Sequence, residues 1–172
     1  VNGLIRSGIH ANIAYIGKKQ IDLDLLFEPI YYETFEHFCT FPPESKVFVA
    51  TDNGTVQYVQ LLSASHHIET AYFIQDYEGW FDKEKLDFVK KTYSQIENKI
   101  VISRWIQKMI KTNDNYDSTV INVGVPTEIF YKQNKTVDEL KELKNNCKII
   151  VLSLLSNYER RGSTYFIQAM RE

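Results

Sequence analysis

The residues best suited to chemistry gather where apolar runs end. Thr51, Asp52, Asn53, Gly54 and Thr55 close "KVFVAT" (46–51), and Gln75, Asp76, Tyr77 and Glu78 close "AYFIQ" (71–75). Ser103 and Arg104 end "KIVIS" (99–103), and Asn122, Val123, Gly124 and Val125 end "STVINV" (118–123). In open α/β sheets, ligands bind beyond the carboxyl ends of the strands. Amides, hydroxyls and carboxylates gathered there suit a hydroxyl-rich ligand such as a sugar. The same polarity also suits strand ends that reach solvent or cap helices. Asp76 and Glu78 stand two apart and share a side if the strand continues, as a paired acid would. Otherwise one of them caps the next helix or anchors a hydroxyl. Trp80 and Phe81 offer a face for a sugar ring or pack onto the following helix.

A second candidate lies in "SNYERRGSTYF" (156–166), which follows a strand pattern and opens a helix. Arg160 and Arg161 directly precede Gly162. Backbone N–H groups, the positive end of the helix dipole and two guanidinium groups could converge on a diphosphate. Two solvated surface arginines would look the same in sequence. There is no G-x-S-x-G elbow, and "TDNGT" lacks the spacing of a P-loop or dinucleotide fingerprint. His66 and His67 are adjacent and face apart, so no metal site is expected. Cys39 and Cys147 have no metal-type spacing and read as reduced core thiols of a cytoplasmic protein.

The elements that must hold these residues alternate. Further strands are expected at "HANIAYI" (10–16) and "KIIVLS" (148–153). Most of the runs are continuously apolar, the pattern of parallel strands covered on both faces. Helical stripes lie between them: Val56, Val59 and Leu62; Leu86, Val89, Tyr93 and Ile96; Trp105, Ile106, Met109 and Ile110; and, after a capping box at Thr136 and Glu139, Val137, Leu140 and Leu143. Each stripe is expected to face the core. The aromatic-rich stretch inside 17–45 reads as helix and loop ended by Pro42 and Pro43. The fold class is α/β, a Rossmann-like doubly wound parallel sheet. The expected domains are 1–130, a linker at 131–147, and 148–172 as the start of a second Rossmann-like domain. The opening "VNGLIRSG" reads as the tail of a helix and "GSTYFIQAMRE" as one beginning, so the chain is expected to be a fragment.

With 172 residues, 44% hydrophobic and 24% charged, the composition is that of a globular protein. A net charge of −2 gives no basic field for nucleic acid. No apolar run reaches the roughly 18 residues of a membrane helix.

Five segments in order resemble one family. "VFVATDNGTVQYVQ" is similar to its "ATDWGT" turn, and "YFIQDYEGWF" to its "YFIQDYEPxF" motif. "KIVISRWIQKMI" is similar to "xxVSxWLxxxL", and "VINVGVPTEIF" to "VINNGVDxxxF". "IIVLSLLSNYERRGSTYFIQAM" is similar to "GRxxPRKGxxxLIxAL". The family is that of the GT-B fold, group 1 glycosyltransferases, retaining and nucleotide-sugar-dependent, nearest their rhamnosyltransferase-like, polysaccharide-building members. The resemblance covers about residues 46–170. It implies two Rossmann-like domains facing a cleft, with no cofactor beyond the nucleotide-diphosphate sugar co-substrate and no metal. Gln75 and Asp76 would line the acceptor wall, with Thr51, Asp52, Gly54 and Glu78 beside them and Asp76 the catalytic candidate. Arg160, Arg161, Gly162 and Gly124 would serve the donor diphosphate. The implied partners are the donor and a glycan, lipid-linked or other hydroxyl acceptor. The implied location is cytoplasmic, with room for peripheral attachment at the inner membrane face.

Two departures matter. The family's "GR" is not evident, with "LLS" or "SNY" in its place, and Gly79 stands where the motif has Pro. The missing "GR" keeps open a non-catalytic Rossmann-like binding module. A nucleotide-sugar epimerase would need histidines at the site, but His10, His37, His66 and His67 stand away from the strand ends. The resemblance also places a first strand with a Gly-rich loop, and the paired acids of the donor domain, outside these residues. Incubated with nucleotide sugars and hydroxyl acceptors, the 172-residue chain is therefore expected to show only background turnover. Transfer above background contradicts that expectation.

Overall fold

The computed structural model describes residues 1–18, 25–80, 83–125, 127–128, 130–131, 141–142, 145–146, 151, 153–154 and 162–171. They belong to two compact units, Val1–Gly124 and Val125–Glu172. Most of the expected linker at 131–147, of the expected helix at 136–143 and of the expected strand at 148–153 lies outside the described residues.

In the first unit, helix α1 (Asn2–Arg6) precedes β1 (Ala14–Ile16), β2 (Ile30–Tyr32) and α2 (Phe35–Thr40). Then come β3 (Val47–Ala50), α3 (Asn53–His66), β4 (Glu69–Ile74), α4 (Leu86–Gln95), β5 (Asn98–Val101), α5 (Arg104–Asp114) and β6 (Thr119–Val120). β3, β4, β5 and β6 form a parallel sheet in chain order, and β1 and β2 a separate parallel pair. The unit is an α/β fold built on parallel sheets.

Register decides what is buried. Ala50 pairs with Tyr72, Tyr72 with Lys99, and Ile74 with Val101, so these residues share one face with Phe48. All of them are buried. Val56, Val59 and Leu62 of α3, Val89 and Tyr93 of α4, and Ile106 and Ile110 of α5 pack into the same core. Strands taken in unbroken order with right-handed crossovers place every connecting helix on one face. On the other face Val47 and Val49 remain about half exposed, at 50% and 45%. The strand order does not reverse between β3 and β6, so the switch point of a doubly wound sheet is not among these four strands.

Lys99 is the one basic residue on the buried face of β5. Its ammonium donates to the carbonyls of Ile96 (2.7 Å) and Glu97 (3.3 Å) and lies 4.8 Å from the Tyr116 ring centre. Burial still pushes its pKa down.

The stripes on α3, α4 and α5 hold with one correction, and Val137, Leu140 and Leu143 lie outside the described residues. Trp105 was expected to face the core with Ile106, but it is 46% exposed while Ile106 and Ile110 are buried. Ile106 and Ile110, four apart, already span the contact, and Trp105 lies about 100° round from Ile106. The stretch expected as helix and loop also contains a strand, β2. Three residues are too few to show a period, though Ile, Tyr and Tyr are all strand formers. The helix there is α2, whose N-cap Thr34 accepts from the His37 N–H at 3.1 Å. Among the described residues no helix is long and apolar enough to cross a membrane.

Leu61 and Leu62 are neighbours on α3, 60% and 1% exposed. Urea unfolding should show Leu62→Ala costing about 2–5 kcal/mol and Leu61→Ala within about 0.5 kcal/mol of wild type. Equal costs would contradict the face assigned to α3.

Candidate functional site

The β3–α3 turn is built by its own side chains. Asp52, the α3 N-cap, accepts from the Gly54 N–H at 2.8 Å. Thr55 donates its hydroxyl to the Asp52 carbonyl at 2.7 Å. Its oxygen accepts from the N–H groups of Thr51 (3.2 Å) and Asp52 (3.3 Å). This capping box satisfies donors that the first helical turn leaves unpaired. A Cβ at Gly54 would stand 3.0 Å from the Asp52 carboxylate, so glycine gives the cap its room. Asp52 and Gly54 thus have a structural use whatever else they do.

β4 ends at Ile74, and the chain then turns into a 3₁₀ turn at Glu78–Trp80. Asp76 and Glu78 therefore do not continue along one strand side as a paired acid would. Gln75 stays exposed and its amide reaches the Thr51 carbonyl at 3.4 Å, a long bond that links the ends of β3 and β4. Asp76 is half-buried, and one carboxylate oxygen accepts from the Tyr77 N–H at 2.9 Å.

Glu78 turns inward. Its Oε2 accepts from the Tyr72 hydroxyl (2.7 Å), the Asn53 side-chain amide (2.7 Å) and the Asn53 N–H (3.0 Å). The Asn53 N–H opens α3, so a carboxylate sits where the helix dipole favours one. Burial nevertheless outweighs these donors and raises the Glu78 pKa above the ordinary glutamate value. Burial, followed by the Glu78 charge, also raises the Tyr72 hydroxyl.

Gly79 is buried behind Glu78. A Cβ there would come 2.5 Å from Leu86 Cδ1, so any larger residue, the motif's proline included, would have to displace that methyl.

Beside this turn, Ser103 caps α5 by accepting from the Ile106 N–H at 3.2 Å, and Arg104 is exposed. Trp80 and Trp105 meet with ring centres 5.1 Å apart and planes inclined by 70°. Tyr77 supports Trp80 from the interior, with ring centres 5.8 Å apart. Its hydroxyl donates to buried Asp114 at 2.9 Å. Burial, then that carboxylate, push the Tyr77 pKa up to about 12.

Thr51, Asp52, Gly54, Gln75, Asp76 and Glu78 are thus all at the carboxyl edge of β3 and β4. Gly124 is exposed with open space around it, at the end of the first unit. Gly162 belongs to the second unit, as the left-handed N-cap (φ 70°) of the helix Ser163–Ala169. Arg160 and Arg161 lie outside the described residues, as do Phe81 and Cys147. Cys39 is half-buried on α2, and His67 is the left-handed C-cap of α3. A shallow hollow of about 260 Å³ beside Gln107, Lys111 and Tyr116 lies toward the amino end of β6, away from this edge.

Sequence reading missed Trp105 at the rim and Tyr72 as a donor, and it gave Asn53 a place at the edge but no partner. An aromatic residue in the first turn after a strand was the available signal for Trp105. No signal pointed to Tyr72, whose hydroxyl meets Glu78 only because the chain turns after β4.

Glu78→Ala would strip three donors of their acceptor and should cost about 2–3 kcal/mol. The pH dependence has a definite sign. A carboxyl with a raised folded-state pKa favours the fold fully below its unfolded value, and that contribution fades as pH rises through the folded value. Measured against Glu78→Gln, wild-type stability should fall as pH rises from about 4 and then level off. A pH-independent difference would contradict the burial described. Compared with protein-family models, curated proteins and solved structures, the chain shows no match.

Proposed function

We propose that the chain is part of a glycosyltransferase that moves a sugar from a nucleotide-diphosphate donor to a hydroxyl acceptor. The observation that carries this reading is the placement of Thr51, Gln75 and Asp76 at the carboxyl edge of adjacent parallel strands, with Gln75 reaching the Thr51 carbonyl. They lie within segments that resemble the group 1 enzymes of GT-B fold. The finer fold reading, an N-terminal Rossmann-like domain of such an enzyme followed by the start of the donor domain, belongs to the same proposal.

In this reading Gln75 and the Thr51 turn orient the acceptor. Asp76 receives or anchors the acceptor hydroxyl proton, which fits a half-buried carboxylate at a ligand edge. The acceptor oxygen bonds to the sugar's anomeric carbon as the bond from that carbon to the diphosphate oxygen breaks. The departing diphosphate carries charge, which the resemblance would have Arg160 and Arg161 offset. The acceptor would be a glycan or lipid-linked hydroxyl on the cytoplasmic side, used in building a surface polysaccharide.

One observation favours the second reading, a non-catalytic binding module. Asp52 and Glu78, two of the three acids at the edge, are engaged in holding α3. Calorimetry on the protein of the complete reading frame separates the two. The transferase reading expects binding of at least one nucleoside diphosphate, weakened about tenfold or more by Arg161→Ala. No binding by any of them favours the module. In the same protein Asp76→Asn should lower kcat/KM by about 10²-fold or more with little change in Tm. Unchanged kcat/KM would remove Asp76 from the chemistry.

A further inference from the structure

The chain has 2 tryptophans, and they touch each other. Trp80 sits in the turn after β4, and Trp105 in the first turn of α5, directly after β5. β4 and β5 are adjacent parallel strands, so both indoles stand at the carboxyl edge. They are 58% and 46% exposed. Leaving two indoles in water forfeits one of the largest burial gains any side chain can make, so the arrangement calls for a cause.

Three features narrow the cause. The pair is rigidly backed. A chain of aromatic contacts runs from Tyr72 to Tyr93, on to Tyr77, and out to Trp80 and Trp105. The first three rings are buried, and Tyr77 is pinned through Asp114. Next, rings inclined by 70° make a corner, not a flat patch. Last, among the described residues neither indole N–H makes a hydrogen bond. An apolar protein surface covering the pair would bury those two donors unpaired, which is costly. A sugar ring lays its C–H face on an indole and brings hydroxyls that accept from N–H groups.

We propose that Trp80 and Trp105 form a saccharide-binding corner, an aromatic platform for one sugar ring of a neutral glycan. It deepens the acceptor reading and rests on it for its biological meaning, but its physical basis is separate. Exposed Arg104, next to Trp105 in the chain, offers a further donor to the ring's outward hydroxyls.

Both tryptophans belong to the corner, so fluorescence excited selectively at tryptophan, beyond the absorption of the 11 tyrosines, reads this site alone. Titrating the chain with cellohexaose, maltohexaose and mannohexaose should give a saturable quench and blue shift with at least one of them. Trp80→Ala and Trp105→Ala should each weaken that binding about three- to tenfold, the size of one stacking contact, as read from the surviving indole. Both residues are exposed, so Tm should stay near wild type, and Trp105→Phe should retain part of the affinity. Emission unmoved by all three saccharides overturns the proposal. So does binding that both alanine variants keep, or a blue shift that grows with protein concentration without saccharide, which would mean that a second copy covers the pair. No nucleotide is present in this experiment. A negative result therefore removes the corner and leaves the transfer reading to the calorimetry and Asp76→Asn tests. Saccharide binding without nucleoside diphosphate binding removes the transfer reading and leaves the corner.

Discussion

A single carboxylate oxygen organises the candidate site. Glu78 Oε2 collects donors from the middle of the sheet through Tyr72 and from the first turn of α3 through Asn53. It thereby fixes how the chain leaves β4. Because Glu78 points inward, the turn that follows carries Gly79 against Leu86 and sends Trp80 outward to meet Trp105. The burial that raises its pKa shows that this acid is held against its own preference for water. Three donors and the start of a helix offset part of that cost. Thr51, Gln75, Asp76, Arg104 and the two indoles share the edge with Glu78.

The sheet supplies the second constraint. Unbroken parallel order from β3 to β6 places α3, α4 and α5 over one face and every strand exit on one edge. Among the described residues the buried face carries one charge, Lys99, whose ammonium is taken by two carbonyls. Polar side chains therefore collect at the exits, first as caps and then as candidates for recognition. Asp52 and Ser103 illustrate the first role. Gln75, half-committed through a long bond to Thr51, illustrates the second.

Much of this was readable from residue types and spacing. Val56, Val59 and Leu62 declared the inner face of α3, and "KVFVAT" and "AYFIQ" declared parallel strands whose exits carry the polar residues. What escaped depended on contacts between distant segments or on very short elements. β2 has three residues, too few for a period. Trp105 looked like core because it neighbours Ile106, yet the helix turns it to the rim. For Glu78 the spacing offered a strand side shared with Asp76, a cap on the next helix or an anchor for a hydroxyl. The strand stops four residues before Glu78, and the acid turns towards Asn53, 25 residues earlier in the chain. The neighbour of Gly79, Leu86, comes from a later helix and could not be seen in the sequence.

The central claim is that the carboxyl edge of β3, β4 and β5 recognises a hydroxyl-rich ligand. Amide-resolved NMR of the chain under addition of a soluble acceptor glycan tests it most directly. The account predicts that shift changes concentrate at Thr51–Thr55, Gln75–Trp80 and Ser103–Trp105. Changes gathered instead at the opposite edge, around Lys46, Glu69, Asn98 and Ser118, or absent throughout, would contradict it.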